Sequence, residues 1–124
     1  MTAIKSYTDI EQSRKLAEIL PLESADMYYT PPLVKGHTAY IPHLKRRFPI
    51  DWDTEQAIPC WSLASLLEII PDGMVNRMTG NSHKWEAASW NGIDFDQIHS
   101  VEGFDNPTDA CYEMVLKLHE LGLL

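Results

Sequence analysis

Long apolar runs, cysteine and positive charge are all scarce in this sequence, and each shortage excludes a class of protein. No apolar run approaches the roughly 20 residues that a membrane-spanning helix needs. The first seven residues also lack the apolar core of a secretory signal. We therefore expect a cytoplasmic protein that neither crosses nor binds a membrane.

Cysteine is too rare to build a disulfide framework, because the chain contains two. Cys60 stands at the start of an apolar segment, and Cys111 lies on the apolar stripe of a predicted helix. Cysteines in such positions are typically small buried apolar residues in a reducing compartment. We expect both thiols to be buried and not cross-linked.

Positive charge is in the minority: 10 Lys and Arg stand against 18 Asp and Glu, which gives a formal net charge of −8. A field of this sign repels phosphate backbones and anionic membranes. It therefore disfavours general nucleic-acid affinity and is compatible with solubility or with a basic protein partner. The length of 124 residues indicates one domain, which we assign to residues 1–124.

Motifs for catalysis, metal binding and phosphate binding are also lacking. The histidines and cysteines show none of the close spacings typical of zinc sites, and no nucleophile elbow or glycine-rich phosphate loop occurs. Asp51 and Asp53 are close enough in sequence for acid–base work, but nothing around them indicates the burial that such work needs. We expect no catalytic residue, no metal and no cofactor, and thus no enzyme.

Three helices are predicted from capping signals and apolar periodicity. Thr8 and Glu11 form a capping-box pattern that opens the first helix, which ends near Leu20. The second helix covers residues 59–70 and is apolar nearly all round, which indicates an interior position. The third begins after Asn106 as N-cap and ends with Gly122 in a left-handed position.

Strands are predicted over residues 25–30, 37–41, 74–78, 84–90 and 98–104. Asn91-Gly92 is typical of a tight hairpin turn. Strict alternation then places Ile98 on the face opposite Trp90, so either a bulge near residues 95–97 resets the register or both faces are partly covered; we favour the bulge. The pattern predicts the α+β class, with a small antiparallel sheet (a β-meander) and about three helices packed against it.

Aromatic side chains on this hairpin are the first candidate for a binding surface. Trp85, Trp90 and Phe95 lie on the predicted hairpin strands. Exposed tryptophan and phenylalanine are typical of protein-binding surfaces. We expect these three residues to contact a protein partner, and a homodimer through the same surface stays open as an alternative.

A basic and aromatic loop over residues 40–52 is the second candidate. Its centre is Lys45, Arg46, Arg47 and Phe48, a combination that contacts phosphates and stacks on bases. The competing interpretation is a solvated loop in which the three cations pair with the nearby acids Asp51, Asp53 and Glu55. Three charges give weak affinity against a net charge of −8, and we favour the solvated loop.

Three stretches of the sequence carry a resemblance to known proteins. They are residues 11–27 (EQSRKLAEILPLESADM), 59–67 (PCWSLASLL) and 106–119 (NPTDACYEMVLKLH). Together they resemble short uncharacterised proteins of bacterial prophages and integrated mobile elements. The resemblance implies a mobile-element context and brings no activity, ligand or catalytic residue.

These observations together predict a non-catalytic accessory protein of a prophage or mobile element that acts by protein–protein interaction. The alternative is a weak nucleic-acid-binding protein that uses the loop over residues 40–52. Salt dependence separates the two, because binding to nucleic acid releases counterions, and that release favours binding less as the salt concentration rises.

Overall fold

The computed structural model of the chain describes residues 5–32, 36, 39–52, 56–90 and 98–124. Backbone contacts divide the chain into two compact units, one of them Thr8–Ser62 and the other Met1–Tyr7 together with Leu63–Leu124. The α+β class is confirmed, and the described strands form two antiparallel three-stranded sheets instead of one. The assignment of one domain to residues 1–124 stays a prediction. The elements are α1 (Ile10–Ala17), β1 (Met27–Thr30), β2 (Ile41–Leu44), β3 (Ile58–Cys60), α2 (Leu63–Ile69), β4 (Met74–Met78), β5 (Asn81–Trp90), β6 (Ile98–Phe104) and α3 (Pro107–Glu120).

The sheet of the first unit has the order β2-β1-β3, and α1 contacts β3. Both outer strands contain a proline: Pro42 in β2 lies opposite Tyr29, and Pro59 in β3 lies opposite Tyr28. Proline has no N–H to donate, so a strand that contains it is restricted to the edge of a sheet. The strand predicted over residues 37–41 is displaced: residues 39 and 40 are not in a strand, and β2 begins at Ile41 and continues through Pro42 because an edge position tolerates the missing donor.

The start of α1 differs by one residue from the predicted capping box. Asp9 is the N-cap: its carboxylate accepts from the backbone N–H of Gln12 at 2.8 Å, and the Gln12 side chain accepts from the N–H of Asp9 at 3.2 Å. The predicted pair of Thr8 and Glu11 is therefore wrong. Thr8 is buried, and its hydroxyl shares a 2.8 Å hydrogen bond with the hydroxyl of Ser13 instead of capping the helix.

The predicted helix over residues 59–70 is wrong in its first part. Residues 58–60 form β3, where Cys60 pairs with Met27, and α2 begins only at Leu63. Leu66 is buried while Glu68 and Ala64 are exposed, so α2 has one buried face and is not covered on all sides. The apolar residues that made the segment look like an interior helix are divided between an edge strand and a short amphipathic helix.

The sheet of the second unit is an antiparallel meander with the order β4-β5-β6, and α3 packs against it. The predicted strands 74–78 and 98–104 are confirmed, and the strand predicted over 84–90 begins earlier, at Asn81. Trp85 pairs with Phe104 whereas Glu86 pairs with Glu102, so Gly103 is an extra residue on β6. Its φ of 90° suits this bulge, since glycine adopts positive φ without steric strain.

The predicted caps of the last helix are confirmed. The Asn106 side chain accepts from the N–H of Asp109 at 2.8 Å. At the other end Gly122 has a φ of 73°, and the N–H of Leu123 donates to the carbonyl oxygen of Leu118 at 2.9 Å. This bond closes a Schellman motif. Five of the six side chains on the predicted apolar stripe are buried, and the sixth, Leu121 at the C-cap, is exposed; the buried ones are Ala110, Cys111, Met114, Val115 and Leu118.

Candidate functional site

The β4–β5–β6 sheet has one face under α3 and a second, outer face that carries exposed side chains. Ala87 and Ser89 of β5 are buried on the α3 side. Successive residues of a strand point to opposite faces, so Ala88 and Trp90 point to the outer face. The outer face is therefore defined by alternation along β5 and by the partners of each residue on β4 and β6.

Three large apolar side chains lie on this outer face. Trp90 lies directly opposite Ile98, and the two side chains are 37% and 47% exposed. Met74 lies opposite Ala88, one row further along the strands, and is 43% exposed. Side chains directly opposite each other in an antiparallel pair have Cβ atoms about 5 Å apart. We call Met74, Trp90 and Ile98 the apolar patch.

Two acidic side chains occupy a further row of the same face. Glu86 lies directly opposite Glu102, two rows from Trp90. Like charges in this position destabilise a sheet. In the described part of the chain the ion pairs are Lys5–Asp109, Lys15–Glu18 and Lys84–Asp105, and none of them includes either glutamate. We call Glu86 and Glu102 the acidic pair.

The structure separates the aromatic residues that the sequence suggested as one surface. Trp85 has the same parity along β5 as the buried Ala87, so it lies on the face opposite Trp90. It is half-buried, and the guanidinium carbon of Arg77 lies 5.4 Å from the centre of its indole ring. Phe95, like the Asn91-Gly92 turn and the bulge predicted near residues 95–97, lies outside the described residues.

Of the apolar patch, the sequence indicated Trp90 but neither Met74 nor Ile98. The face of Ile98 depended on a register reset after Trp90, and the observed pairing of Trp90 with Ile98 shows that they share a face. The position of Met74 depends on the pairing of β4 with β5. Aligning the alternating apolar residues of β4 with those of β5 could have indicated from the sequence that Met74 lies on this face.

The basic turn, which we define as residues 45–48, follows the edge strand β2. The backbone N–H groups of Arg47 and Phe48 donate to the carbonyl oxygen of Leu44 at 3.1 and 3.0 Å. The N–H of Lys45 donates to the carbonyl oxygen of Asp26 at 3.0 Å. These bonds fix the turn against the first unit's sheet while Arg46, Arg47 and Phe48 stay exposed.

The Phe48 ring of the turn belongs to a group of four rings, and we call Tyr28, His43, Phe48 and Trp52 the aromatic cluster. The rings of Tyr28 and His43 stack at 5.1 Å between centres, and His43 meets Phe48 edge to face at 6.0 Å. Tyr28 meets Trp52 edge to face at 6.2 Å. The Tyr28 hydroxyl also donates to the carbonyl oxygen of Phe48 at 2.8 Å. The cluster thus fixes Phe48 through both its ring and its backbone.

Two of the three cations of the turn lie over rings. The guanidinium carbon of Arg47 lies 5.7 Å from the centre of the Phe48 ring, and the Lys45 ammonium lies 5.7 Å from that of Trp52. None of the ion pairs found within the described ranges includes Lys45, Arg46 or Arg47. Asp53 and Glu55, two of the three acids in the solvated-loop interpretation, lie outside those ranges.

Both cysteines are free and buried, as predicted. Burial raises the pKa of the Cys111 thiol to about 12. Burial also raises the pKa of Cys60, against a smaller opposing effect of its hydrogen bonds to hydroxyls such as that of Thr8. Thiols held in the protonated form are poor nucleophiles and poor metal ligands, so the two cysteines serve the core.

Neither a metal-binding cluster nor a membrane-spanning helix occurs in the described residues. Across residues 5–32, 36, 39–52, 56–90 and 98–124, no group of three or more His, Cys, Asp or Glu side chains is arranged to hold a metal ion. Within the same part of the chain, no helix combines the length and the apolar character needed to cross a bilayer.

No family model, curated protein or solved structure matches this chain. The resemblance to prophage proteins therefore stays a prediction.

Proposed function

We propose that the protein is a non-catalytic binding module that recognises another protein through the outer face of the β4–β5–β6 sheet. The observation that carries this proposal is the direct pairing of Trp90 with Ile98, both exposed, beside the exposed Met74. Tryptophan is one of the side chains enriched at the energetic centre of protein interfaces. Full burial of one large apolar side chain stabilises a complex by about 1.5–3 kcal/mol.

The chemistry of the partner follows from the acidic pair. Glu86 and Glu102 repel each other across the strands, and a cation placed between them relieves that repulsion. The net charge of −8 also attracts a basic partner over a longer range. We therefore propose a partner segment with apolar side chains over the apolar patch and Lys or Arg over the acidic pair.

The same charges oppose self-association through this face. Two copies placed face to face bring a second acidic pair into the interface, and each copy carries a net charge of −8. Like charges at an interface reduce affinity, so we propose a hetero-complex and not a homodimer. The proposal also includes a cytoplasmic location and, as the sequence resemblance implies, a protein encoded by a prophage or mobile element.

Capture from host lysate, compared between matched variants, tests this proposal. Trp90→Ala and the double variant Glu86→Gln, Glu102→Gln are each expected to lose the captured protein. Phe48→Ala is the matched control, because it removes an exposed aromatic ring from the other unit and is expected to retain capture. Circular dichroism establishes that each variant is folded.

The affinity for the captured protein is also expected to fall as the salt concentration rises, because the acidic pair contributes to binding by its charge. Equal capture by wild type and Trp90→Ala would contradict the assignment of the apolar patch. If Phe48→Ala were the only variant to lose capture, the basic turn, and not the outer face of the sheet, would be the surface that binds the partner.

A further inference from the structure

The basic turn presents an aromatic ring that is both exposed and fixed. Phe48 is 53% exposed, yet its carbonyl oxygen accepts from the Tyr28 hydroxyl at 2.8 Å and its ring meets the ring of His43. His43 is itself held by a 2.9 Å hydrogen bond between its Nε2 and the Thr30 hydroxyl. A ring immobilised in this way loses little conformational entropy when a flat ligand stacks on it.

Three cations lie next to Phe48 in the sequence of an otherwise acidic chain. Lys45, Arg46 and Arg47 are three of the 10 Lys and Arg residues, and they occupy consecutive positions. The guanidinium carbon of Arg47 lies over the Phe48 ring, 5.7 Å from its centre, so a base that stacks on this ring either displaces the guanidinium or takes the other face, and in both cases lies close to a positive charge. At physiological salt the Debye length is about 8 Å, which screens the more distant carboxylates from a ligand in contact with the turn.

A flat ring beside consecutive cations matches the two parts of a nucleotide. The base stacks on an aromatic side chain, and the phosphates on either side contact Lys or Arg. A duplex keeps its bases stacked on each other and cannot offer one to Phe48, whereas a single strand can. An acidic peptide can pair its carboxylates with the cations, but those carboxylates do not stack on the exposed ring of Phe48.

We propose that residues 45–48 bind single-stranded nucleic acid, with one base stacked on Phe48 and the adjoining phosphates contacted by Lys45, Arg46 and Arg47. This site belongs to the first unit and is independent of the protein-binding face proposed above. Contact with three phosphates on a single strand gives a slope of log K against log salt of about −2. Binding is therefore weak at physiological salt and measurable at low salt.

Fluorescence anisotropy of labelled oligo(dT) and oligo(U), each about 15 nucleotides long, tests the site. Wild type is expected to bind with a Kd of about 10⁻⁴ M or tighter at low salt. Phe48→Ala is expected to weaken binding at least about fivefold with little change of the salt slope, because it removes stacking only. The double variant Arg46→Ala, Arg47→Ala is expected to reduce the salt slope by about 1.4, which corresponds to two phosphates.

The matched control is Arg14→Ala, Lys15→Ala, which removes two neighbouring exposed cations from α1 of the same unit. It is expected to leave the Kd within about twofold of wild type, since long-range charge alone contributes little. A duplex of the same length and poly-glutamate serve as competing ligands and are expected to bind more weakly than the single strands.

Three results would overturn the proposal. They are no anisotropy change at low salt, an equal loss of affinity in the α1 control, and binding of poly-glutamate that matches the oligonucleotides and ignores Phe48→Ala. The last result would make the turn a general anion or protein contact. Because Phe48, Arg46 and Arg47 are exposed, their replacement is expected to leave the circular dichroism spectrum unchanged.

Discussion

The hydroxyl of Tyr29 donates a hydrogen bond of 2.6 Å to the backbone carbonyl oxygen of Thr8, and both residues are buried. Thr8 immediately precedes the N-cap of α1, and Tyr29 lies on β1, so this bond joins the start of the helix to the central strand. The thiol of Cys60 on β3 donates to the same oxygen at 3.4 Å. One carbonyl thus joins α1 to two strands of the first sheet.

Tyr29→Phe is expected to lower the free energy of unfolding by about 1–2 kcal/mol. The substitution keeps the ring but leaves a buried carbonyl with only the weak thiol donor. Urea unfolding of wild type and variant at one pH measures the difference. Tyr40→Phe is the control, because Tyr40 is half-buried, and its change is expected to stay within about 0.5 kcal/mol. Equal effects at the two positions would contradict the role assigned to the Tyr29 hydroxyl.

Asp9→Ala is expected to destabilise the protein by about 1 kcal/mol, because it removes the acceptor for the N–H of Gln12. Glu11→Ala tests the capping box that the sequence suggested, and it is expected to cost only a few tenths of a kcal/mol from the helix dipole. Thermal unfolding of both variants makes the comparison. A larger loss in Glu11→Ala than in Asp9→Ala would restore the sequence-based assignment.

Glu102→Lys is expected to stabilise the free protein by about 0.2–1 kcal/mol and to abolish binding of the proposed basic partner. The substitution places a cation directly opposite Glu86, which replaces a repulsive cross-strand pair with an attractive one. Urea unfolding gives the stability, and lysate capture gives the binding. Glu23→Lys makes the same change of charge at an exposed position of the first unit and is expected to retain capture. A Glu102→Lys protein that is less stable and still binds the partner would contradict both the repulsion within the acidic pair and the role of that pair in binding.

The buried thiol of Cys111 is expected to make stability fall at alkaline pH. Burial raises its pKa from an ordinary 9.0 to about 12, so the unfolded chain releases this proton at lower pH than the folded protein does. Its contribution is complete below about pH 9 and is lost as pH rises toward 12. Stability is therefore expected to decline more steeply between these pH values in wild type than in Cys111→Ala, as urea unfolding measures. Parallel curves for the two proteins would contradict this pKa.

Reactivity with a thiol reagent provides an independent measurement of the same property. Cys60 and Cys111 are expected to react slowly at about pH 8 in the folded protein and rapidly in denaturant, since both thiols are buried and protonated. Rapid labelling of both thiols without denaturant would show that the core opens more readily than the packing of α3 indicates.

Capping residues in the sequence predicted the helix ends that depend only on neighbouring residues. Asn106 and Gly122 bracket α3 as the sequence indicated, because a cap and a positive-φ glycine act within a few residues of the helix end. The single-residue error at Asp9 arose because Thr8 and Asp9 are adjacent and both residue types can cap a helix. Only the burial of Thr8 against the first sheet, which involves residues more than 20 positions away, decides between them.

By itself, the sequence determined the α+β class, the buried reduced cysteines, the last helix with both its ends, and the location of the cations and rings of the basic turn. Tertiary structure decided the features that depend on pairing between segments distant in the sequence. It placed residues 58–60 in a strand, since Cys60 pairs with Met27, and it joined Met74, Trp90 and Ile98 on one face. The physical reason is that a one-residue change of strand register reverses the face of every side chain, and hydrogen bonds between distant segments set that register.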